Sequence, residues 1–347
     1  MLLRFGTPGE MVLLTPSIRA LAARYDSPVD IVAVGADSAA LLEGQPGVGD
    51  ICVIGRHLQP YWASYSQRKL VRRLASRQAG PVWDCDASDK SEGLLARAGV
   101  DAEMIALGSD CPRRDGEHHL DRWLRFVHAT PASGEPGDVD AMRSVPPYAS
   151  IEVTQSWRDE LDQWLVERGL AGRPLVLLQA SRRRTPRRSR IGRSRGGPPE
   201  SMEKPWPIDR WAEVVRMLRD RERGAMVVLT GTPADREFND AILAAAGYEQ
   251  SVNAANDLPI TKMIALQERA VGMISVDADP AWTAAAVGCP VLVLYGVNDP
   301  KVHEPRGPKP NVETLTGEHE GVRSILGIRP RNVEEAWNKL RETDELQ

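Results

Sequence analysis

Alternating strand-like and helix-like segments through both halves of the 347-residue chain predict an α/β protein built from two Rossmann-like domains in succession. Three observations carry that expectation. Apolar runs of strand length recur between Gly and Pro punctuation. Segments with apolar residues at helical spacing fall between them. A stretch rich in Pro, Gly, Ser and Asp, residues 131–150 (PASGEPGDVDAMRSVPPYAS), separates two halves of similar size. Strands separated by helices imply parallel sheets, and two such domains would face each other across a cleft, with the ligand at the carboxyl ends of the strands. The expected division is an N-terminal domain over 1–150, with 131–150 as its linker, a C-terminal domain over 151–330, and a closing helix over 331–347.

In chain order, Met1–Phe5 reads as a short first strand and Ser17–Tyr25 (SIRALAARY) as a helix with Pro16 just ahead of it. Val29–Val34 (VDIVAV) and Asp50–Ile54 (DICVI) read as buried strands. The second half restarts the rhythm with helix Gln155–Arg168, strand Pro174–Gln179, helix Ile208–Arg221 and strand Ala225–Thr230. Strands Gly272–Val276 and Pro290–Tyr295 follow, each after a helical stretch, and Val333–Glu342 is the last helix.

Hydrophobic residues at 42% and charged residues at 27% are globular proportions. A net charge of −4 sets aside nucleic acid as a partner of the whole molecule. The charge is uneven, because residues 182–195 hold eight arginines and no acid. Cys52, Cys85, Cys111 and Cys289 are scattered with no C-x-x-C pair, which argues for reduced thiols and against a zinc site or a disulfide framework. No apolar run approaches the ~20 residues that span a bilayer, and no secretory signal pattern opens the chain. A cytoplasmic protein is expected, with any membrane contact peripheral.

The phosphate-binding G-x-x-x-x-G-K-[ST] and G-x-G-x-x-G patterns are absent, as are H-E-x-x-H and G-x-S-x-G. Three D-x-D triplets occur, at Asp84–Asp86, Asp138–Asp140 and Asp277–Asp279; such triplets hold a metal–diphosphate pair or simply populate acidic loops. Three other segments carry more. Gly6–Thr7–Pro8–Gly9–Glu10 joins the first strand to the first helix, where Glu10 either serves chemistry or complements the helix dipole. Lys204–Pro205–Trp206–Pro207 enters a helix; its ammonium either neutralises a phosphate or is solvated, with Trp206 and Trp211 in the core. Ser275–Thr283 joins a buried strand to an Ala-rich helix whose N-terminus suits a diphosphate; the plainer reading is a connection with Asp277 or Asp279 as N-cap.

These segments, in this order, resemble glycosyltransferase family 9, the ADP-heptose:lipopolysaccharide heptosyltransferases. The family's opening loop ends in Gly-Asp before a helix carrying a Pro, matched by Gly9–Glu10 through Pro16. Its central Lys-x-Trp-Pro is matched by Lys204–Pro205–Trp206–Pro207. Its late Asp-Thr-Gly-Pro-x-His corresponds to Asp277–Ala278–Asp279–Pro280–Ala281–Trp282, and a Tyr-Gly-x-x-Asp-Pro follows at Tyr295–Pro300. Departures are Glu10 for the family aspartate, Ala278–Asp279 for Thr-Gly, Trp282 for His, and a longer loop before Lys204.

The resemblance implies the GT-B fold and inverting transfer of heptose from ADP-heptose to a phosphorylated glycan or glycolipid hydroxyl of the lipopolysaccharide core or a related acceptor. Glu10 would be the base, with Lys204 supporting the departing diphosphate. Gly9, Thr230, Gly231, Asp277, Ala278, Asp279, Pro280 and Trp282 would meet the nucleotide-sugar. No metal or cofactor is expected. Arg182, Arg183, Arg184, Arg187 and Arg188, with the rest of an arginine-rich 182–199 expected to be poorly ordered without ligand, would grip acceptor phosphates or the anionic inner face of the membrane. The alternatives are a GT-B enzyme using another nucleotide-sugar and a non-catalytic paralogue that binds nucleotide-sugar or glycan.

Overall fold

The computed structural model of the chain describes residues 1–55, 59–76, 80–181, 205–247 and 249–345. They divide into two units, Met1–Glu152 and Val153–Gln347. Each is an α/β unit around one parallel sheet.

Unit 1 runs β1 (Leu2–Leu3), α1 (Pro8–Leu13), α2 (Thr15–Tyr25), β2 (Val29–Val34), α3 (Ala36–Leu42), β3 (Val48–Ile54), α4 (Tyr65–Ala75), β4 (Val82–Asp84), α5 (Asp89–Arg97), β5 (Ile105–Leu107) and α6 (His119–Val127). Its sheet has the order β3-β2-β1-β4-β5 with parallel pairing throughout. The first helix is two helices rather than one. Thr7 caps α1, and Pro16, which cannot sit in a helix interior without losing a hydrogen bond, falls in the first turn of α2. Asp50–Ile54 is not a buried strand: it belongs to the edge strand β3, whose Val53 is 38% exposed.

Unit 2 runs α7 (Gln155–Glu167), β6 (Leu175–Gln179), α8 (Ile208–Arg221), β7 (Met226–Leu229), α9 (Arg236–Ala246), β8 (Ser251–Asn253), α10 (Ile260–Arg269), β9 (Gly272–Val276), α11 (Asp279–Ala286), β10 (Val291–Tyr295), α12 (Pro300–His303), β11 (Val312–Thr316) and α13 (Pro330–Glu345). The order is β11-β10-β9-β6-β7-β8, again parallel. β6, β9 and β10 are buried at every residue, as befits central strands covered on both faces, and their sequences LVLLQ, GMISV and VLVLY are accordingly near-continuous apolar runs. Gly272 opens β9 because a Cβ there would lie 2.7 Å from the ring of Trp337 on α13. That contact folds the C-terminal helix into unit 2 rather than leaving it as a separate tail.

The stretch 131–150 is not a free linker. The guanidinium of Arg24, 1% exposed, donates to the carbonyls of Pro136, Val127 and Ala129 at 2.6, 2.9 and 3.1 Å and to the Thr130 hydroxyl. Gly137 sits at φ +59° where a Cβ would meet the Arg24 carbonyl oxygen at 2.6 Å, so glycine is required. Arg19 holds the Tyr148 carbonyl at 2.6 Å, and Gln45 pairs with the Glu152 backbone in both directions. A Pro- and Gly-rich composition marks irregular backbone; here Arg24, Arg19 and Gln45 bind that backbone to unit 1 as a strap.

Candidate active site

In unit 1 the site residues follow from the turn after β1. Glu10 is the third residue of α1 and closes a reciprocal cap: its Oε2 accepts from the Thr7 N–H at 2.7 Å while the Thr7 hydroxyl accepts from the Glu10 N–H at 3.4 Å. Its other oxygen, Oε1, accepts from Arg4 Nη2 at 2.6 Å. Gly6 leaves the room for this carboxylate, since a Cβ there would stand 2.9 Å from Glu10 Oε2. Gly9 is buried within the turn and the Glu10 side chain is 42% exposed. The plain reading of Glu10 is met: the side chain caps the helix, and two donors set its direction while its surface remains open.

Arg4 is the residue that sequence reasoning missed. Its Nη1 lies 3.2 Å from Asp86 Oδ1, so one guanidinium holds two carboxylates. Burial opposes the Arg4 charge, but Glu10 and Asp86 outweigh it and hold its pKa above the ordinary value. The guanidinium also lies 5.3 Å from the ring centre of Trp123, over which Arg122 packs at 4.4 Å. The signal was an arginine at the end of a strand, inward-facing and six residues before the acid.

In Asp84–Asp86, protein groups engage Oδ1 of Asp84 and both oxygens of Asp86. Asp84 Oδ1 accepts from the Asp86 and Ala87 N–H groups at 3.0 and 3.1 Å, and Asp86 Oδ2 accepts from the Phe5 N–H. Burial pushes both carboxyls above the usual carboxylate range, with Arg4 pulling each back down. Asp138 closes a local turn onto the N–H groups of Asp140 and Ala141. Among the described residues no cluster of three or more His, Cys, Asp or Glu side chains could hold a metal.

In unit 2, Asp277, Ala278, Asp279 and Pro280 are half-buried at the start of α11. Neither aspartate is the N-cap: that position is Ala278, and no side chain caps the first turn. The helix therefore presents first-turn N–H groups, an arrangement that suits an anionic oxygen. The Tyr-Gly-x-x-Asp-Pro segment braces this turn. Tyr295, fully buried, donates its hydroxyl to the His303 carbonyl at 2.8 Å; Asn298 Nδ2 donates to Asp277 Oδ2; Asp299 caps α12, with Pro300 at its start. Trp282 is 7% exposed, packed into the unit.

Thr230 is fully buried. Its hydroxyl donates to Gln179 Oε1 at 2.8 Å, its N–H to Leu178, and its carbonyl accepts from Asn239. Gly231 follows, where a Cβ would come within 2.8 Å of Asp235 Cβ. Trp206 and Trp211 are core, 1% and 0% exposed, packed edge to face at 4.7 Å. Lys204 and Arg182, Arg183, Arg184, Arg187 and Arg188, like the rest of 182–199, lie outside the described residues.

The sequence pattern of the family described as glycosyltransferase family 9 (heptosyltransferase) matches residues 199–322. Lipopolysaccharide heptosyltransferase 2 of Escherichia coli K12 is 31% identical over 150 residues, 40% of this chain and 42% of the relative. The chain thus matches less than half the length of that curated relative. Over the whole chain the fold agrees with the E. coli ADP-heptose lipopolysaccharide heptosyltransferase II, at a TM-score of 0.74 and 21% identity, covering 99% of this chain and 98% of that one. It agrees also with a family 9 glycosyl transferase from Veillonella parvula, at 0.77 and 16%, covering 98% and 96%. The chain thus has two parallel-sheet α/β domains with the GT-B fold of these proteins, and its residues 199–322 carry the family 9 pattern.

Proposed function

We propose that the chain is an inverting glycosyltransferase that moves heptose from ADP-heptose to a hydroxyl of a lipopolysaccharide-core or related phosphorylated acceptor. The observation that carries this reading is the Glu10 carboxylate, directed by Arg4 and the Thr7 N–H yet open to solvent. A carboxylate oxygen has two lone-pair sites, so accepting one hydrogen bond does not by itself prevent it from taking up a proton. In the proposed step the acceptor hydroxyl attacks the anomeric carbon, Glu10 takes its proton, and the bond to the diphosphate breaks on the opposite side. Lys204 and the first turn of α11 stabilise the departing diphosphate. The similar E. coli protein is named for ADP-heptose, which supports the choice of donor. The arginines of 182–199 would engage acceptor phosphates or the inner membrane face, and the enzyme would work from the cytoplasm.

A second reading is another nucleotide-sugar. Where the family has Thr-Gly and His, this chain has Ala278–Asp279 and a buried Trp282, which changes the bulk and charge beside the α11 N-terminus. Thermal shift with ADP, UDP, GDP and CDP separates the two, because a selective ligand raises apparent stability by mass action. Selective stabilisation by ADP supports ADP-heptose; selectivity for another nucleotide overturns it. Lys204→Ala should lose most of that stabilisation with the fold intact. Turnover is expected to survive chelation by EDTA; loss on chelation and recovery with Mg²⁺ or Mn²⁺ would refute the metal-free step.

A further inference from the structure

We propose that Trp62, Tyr65, Lys69 and Arg72 form a docking surface by which unit 1 lies on the headgroup layer of an anionic bilayer. The surface follows from the periodicity of α4. Gln67, Leu70 and Val71 face inward, with Leu70 and Val71 in the unit 1 core and Leu74 packed against it. Tyr65, Lys69 and Arg72, at spacings of four and three, then share the opposite, exposed face. Trp62, in the turn leading into the helix, is 78% exposed, and Tyr65 is 68% exposed.

Nothing loose holds these rings out. Arg68 donates to the Trp62 carbonyl, Ser64 caps α4, Arg97 packs over Tyr61 at 5.2 Å, and Lys90 holds the Gln59 carbonyl at 2.8 Å. The turn is a braced platform that presents an indole to water, an arrangement with a cost unless something apolar covers it. From residue 60 to residue 76 there are four basic residues and no acid. Arg73 is spent on Asp50, but among the described residues neither Lys69 nor Arg72 has an acidic partner.

The combination selects the occupant. A soluble polyanion needs the charges and makes no use of a projecting indole. A protein partner would need an apolar area wider than two rings. Trp and Tyr settle at the boundary between headgroups and acyl chains, and Lys and Arg are drawn to the negative leaflet surface. This surface is distinct from Glu10 and from the diphosphate turn, and it holds whichever sugar nucleotide unit 2 binds.

The test uses the full chain with vesicles of phosphatidylcholine and phosphatidylglycerol, against phosphatidylcholine alone. Wild type should bind the anionic vesicles, more weakly as salt rises. Lys69→Glu with Arg72→Glu should lower partition by about tenfold or more. Trp62→Ala should lower it several-fold even at low salt, with partial recovery in Trp62→Phe. Turnover on a water-soluble acceptor should be unchanged in all of them, which separates a failure of docking from a failure of the transferase reading. Wild-type vesicle binding in both the charge-reversed and Trp62→Ala proteins would overturn the proposal. Loss on charge reversal with none in Trp62→Ala would overturn it too, because charge attraction alone would then be at work.

Discussion

At the scale of single residues, the carboxylate pair joined through Arg4 decides what Glu10 can do. Glu10→Gln keeps the shape and one acceptor oxygen but removes the proton-accepting charge. It should reduce kcat on the order of 10²-fold or more and leave donor affinity near wild type; an undiminished kcat would remove Glu10 from the chemistry. On the proposed mechanism Arg4 would act through Glu10, as a positioning residue. Arg4→Met should lower kcat with little change in donor KM, and Arg4→Lys should recover part of it. Arg4→Met should also destabilise the fold, by about 1–3 kcal/mol, by leaving the half-buried Asp86 carboxylate without its counter-charge. That cost has a defined pH dependence. Burial already raises the Asp86 pKa against the pull of Arg4, and losing Arg4 raises it further. The folded variant then binds a proton at a pH where the unfolded chain has not, so the deficit shrinks as pH falls through that raised pKa towards the ordinary carboxylate value. Denaturant midpoints measured across that range give the sign directly. Glu10 was legible in the sequence because a strand, a Gly-rich turn and an acid in the first helical turn form a local pattern. Arg4 and Asp86 were not, because their pairing joins chain segments 82 residues apart and has no local periodicity. The setting of Thr230 was not legible for the same reason: position at a strand end says nothing of a hydroxyl turned inward to Gln179.

Elements show where pattern suffices and where packing has to be seen. The central strands β6, β9 and β10 were legible because burial on both faces leaves no polar positions to blur an apolar run. β8 and β11 are half-buried along their length, and β4 and β5 have three residues each, too few for either period to register. The Lys-x-Trp-Pro segment joins both levels. Trp206 fills the core against Trp211, and its indole N–H donates to the Ile328 carbonyl at 3.0 Å, fixing the chain that follows Lys204. Trp206→Ala should cost about 3–5 kcal/mol of unit 2 stability in chemical denaturation. The Tyr-Gly-x-x-Asp-Pro segment also braces the turn before α11, through Asn298 on Asp277. Asn298→Ala, which removes this bond to Asp277, should cost no more than about 1.5 kcal/mol in stability and, on the proposed donor site, weaken ADP binding several-fold. Equal ADP affinity in wild type and Asn298→Ala would show that the α11 turn does not depend on this bond.

For the whole molecule, the two units are separate folding problems solved by one chain. Among the described residues every strand pairing lies within a unit, and the cluster around Trp206, Trp211 and Trp337 and the cluster around Leu70 and Leu95 each belong to one unit alone. The break falls after Glu152, at the end of a strap that Arg24, Arg19 and Gln45 bind to unit 1, so cutting there severs none of the anchors described. The family pattern at 199–322 lies wholly in unit 2, as do Lys204 and the α11 turn proposed to hold the diphosphate, whereas Glu10 lies in unit 1. Residues 153–347 expressed alone should therefore fold cooperatively, as a domain of that size with its own core does. They should retain thermal stabilisation by ADP and catalyse no transfer. Circular dichroism establishes the fold, and a nucleotide thermal shift with a transfer assay reads the rest. A folded 153–347 that ignores ADP would place essential donor contacts in unit 1, and one that transfers sugar would remove Glu10 from the reaction.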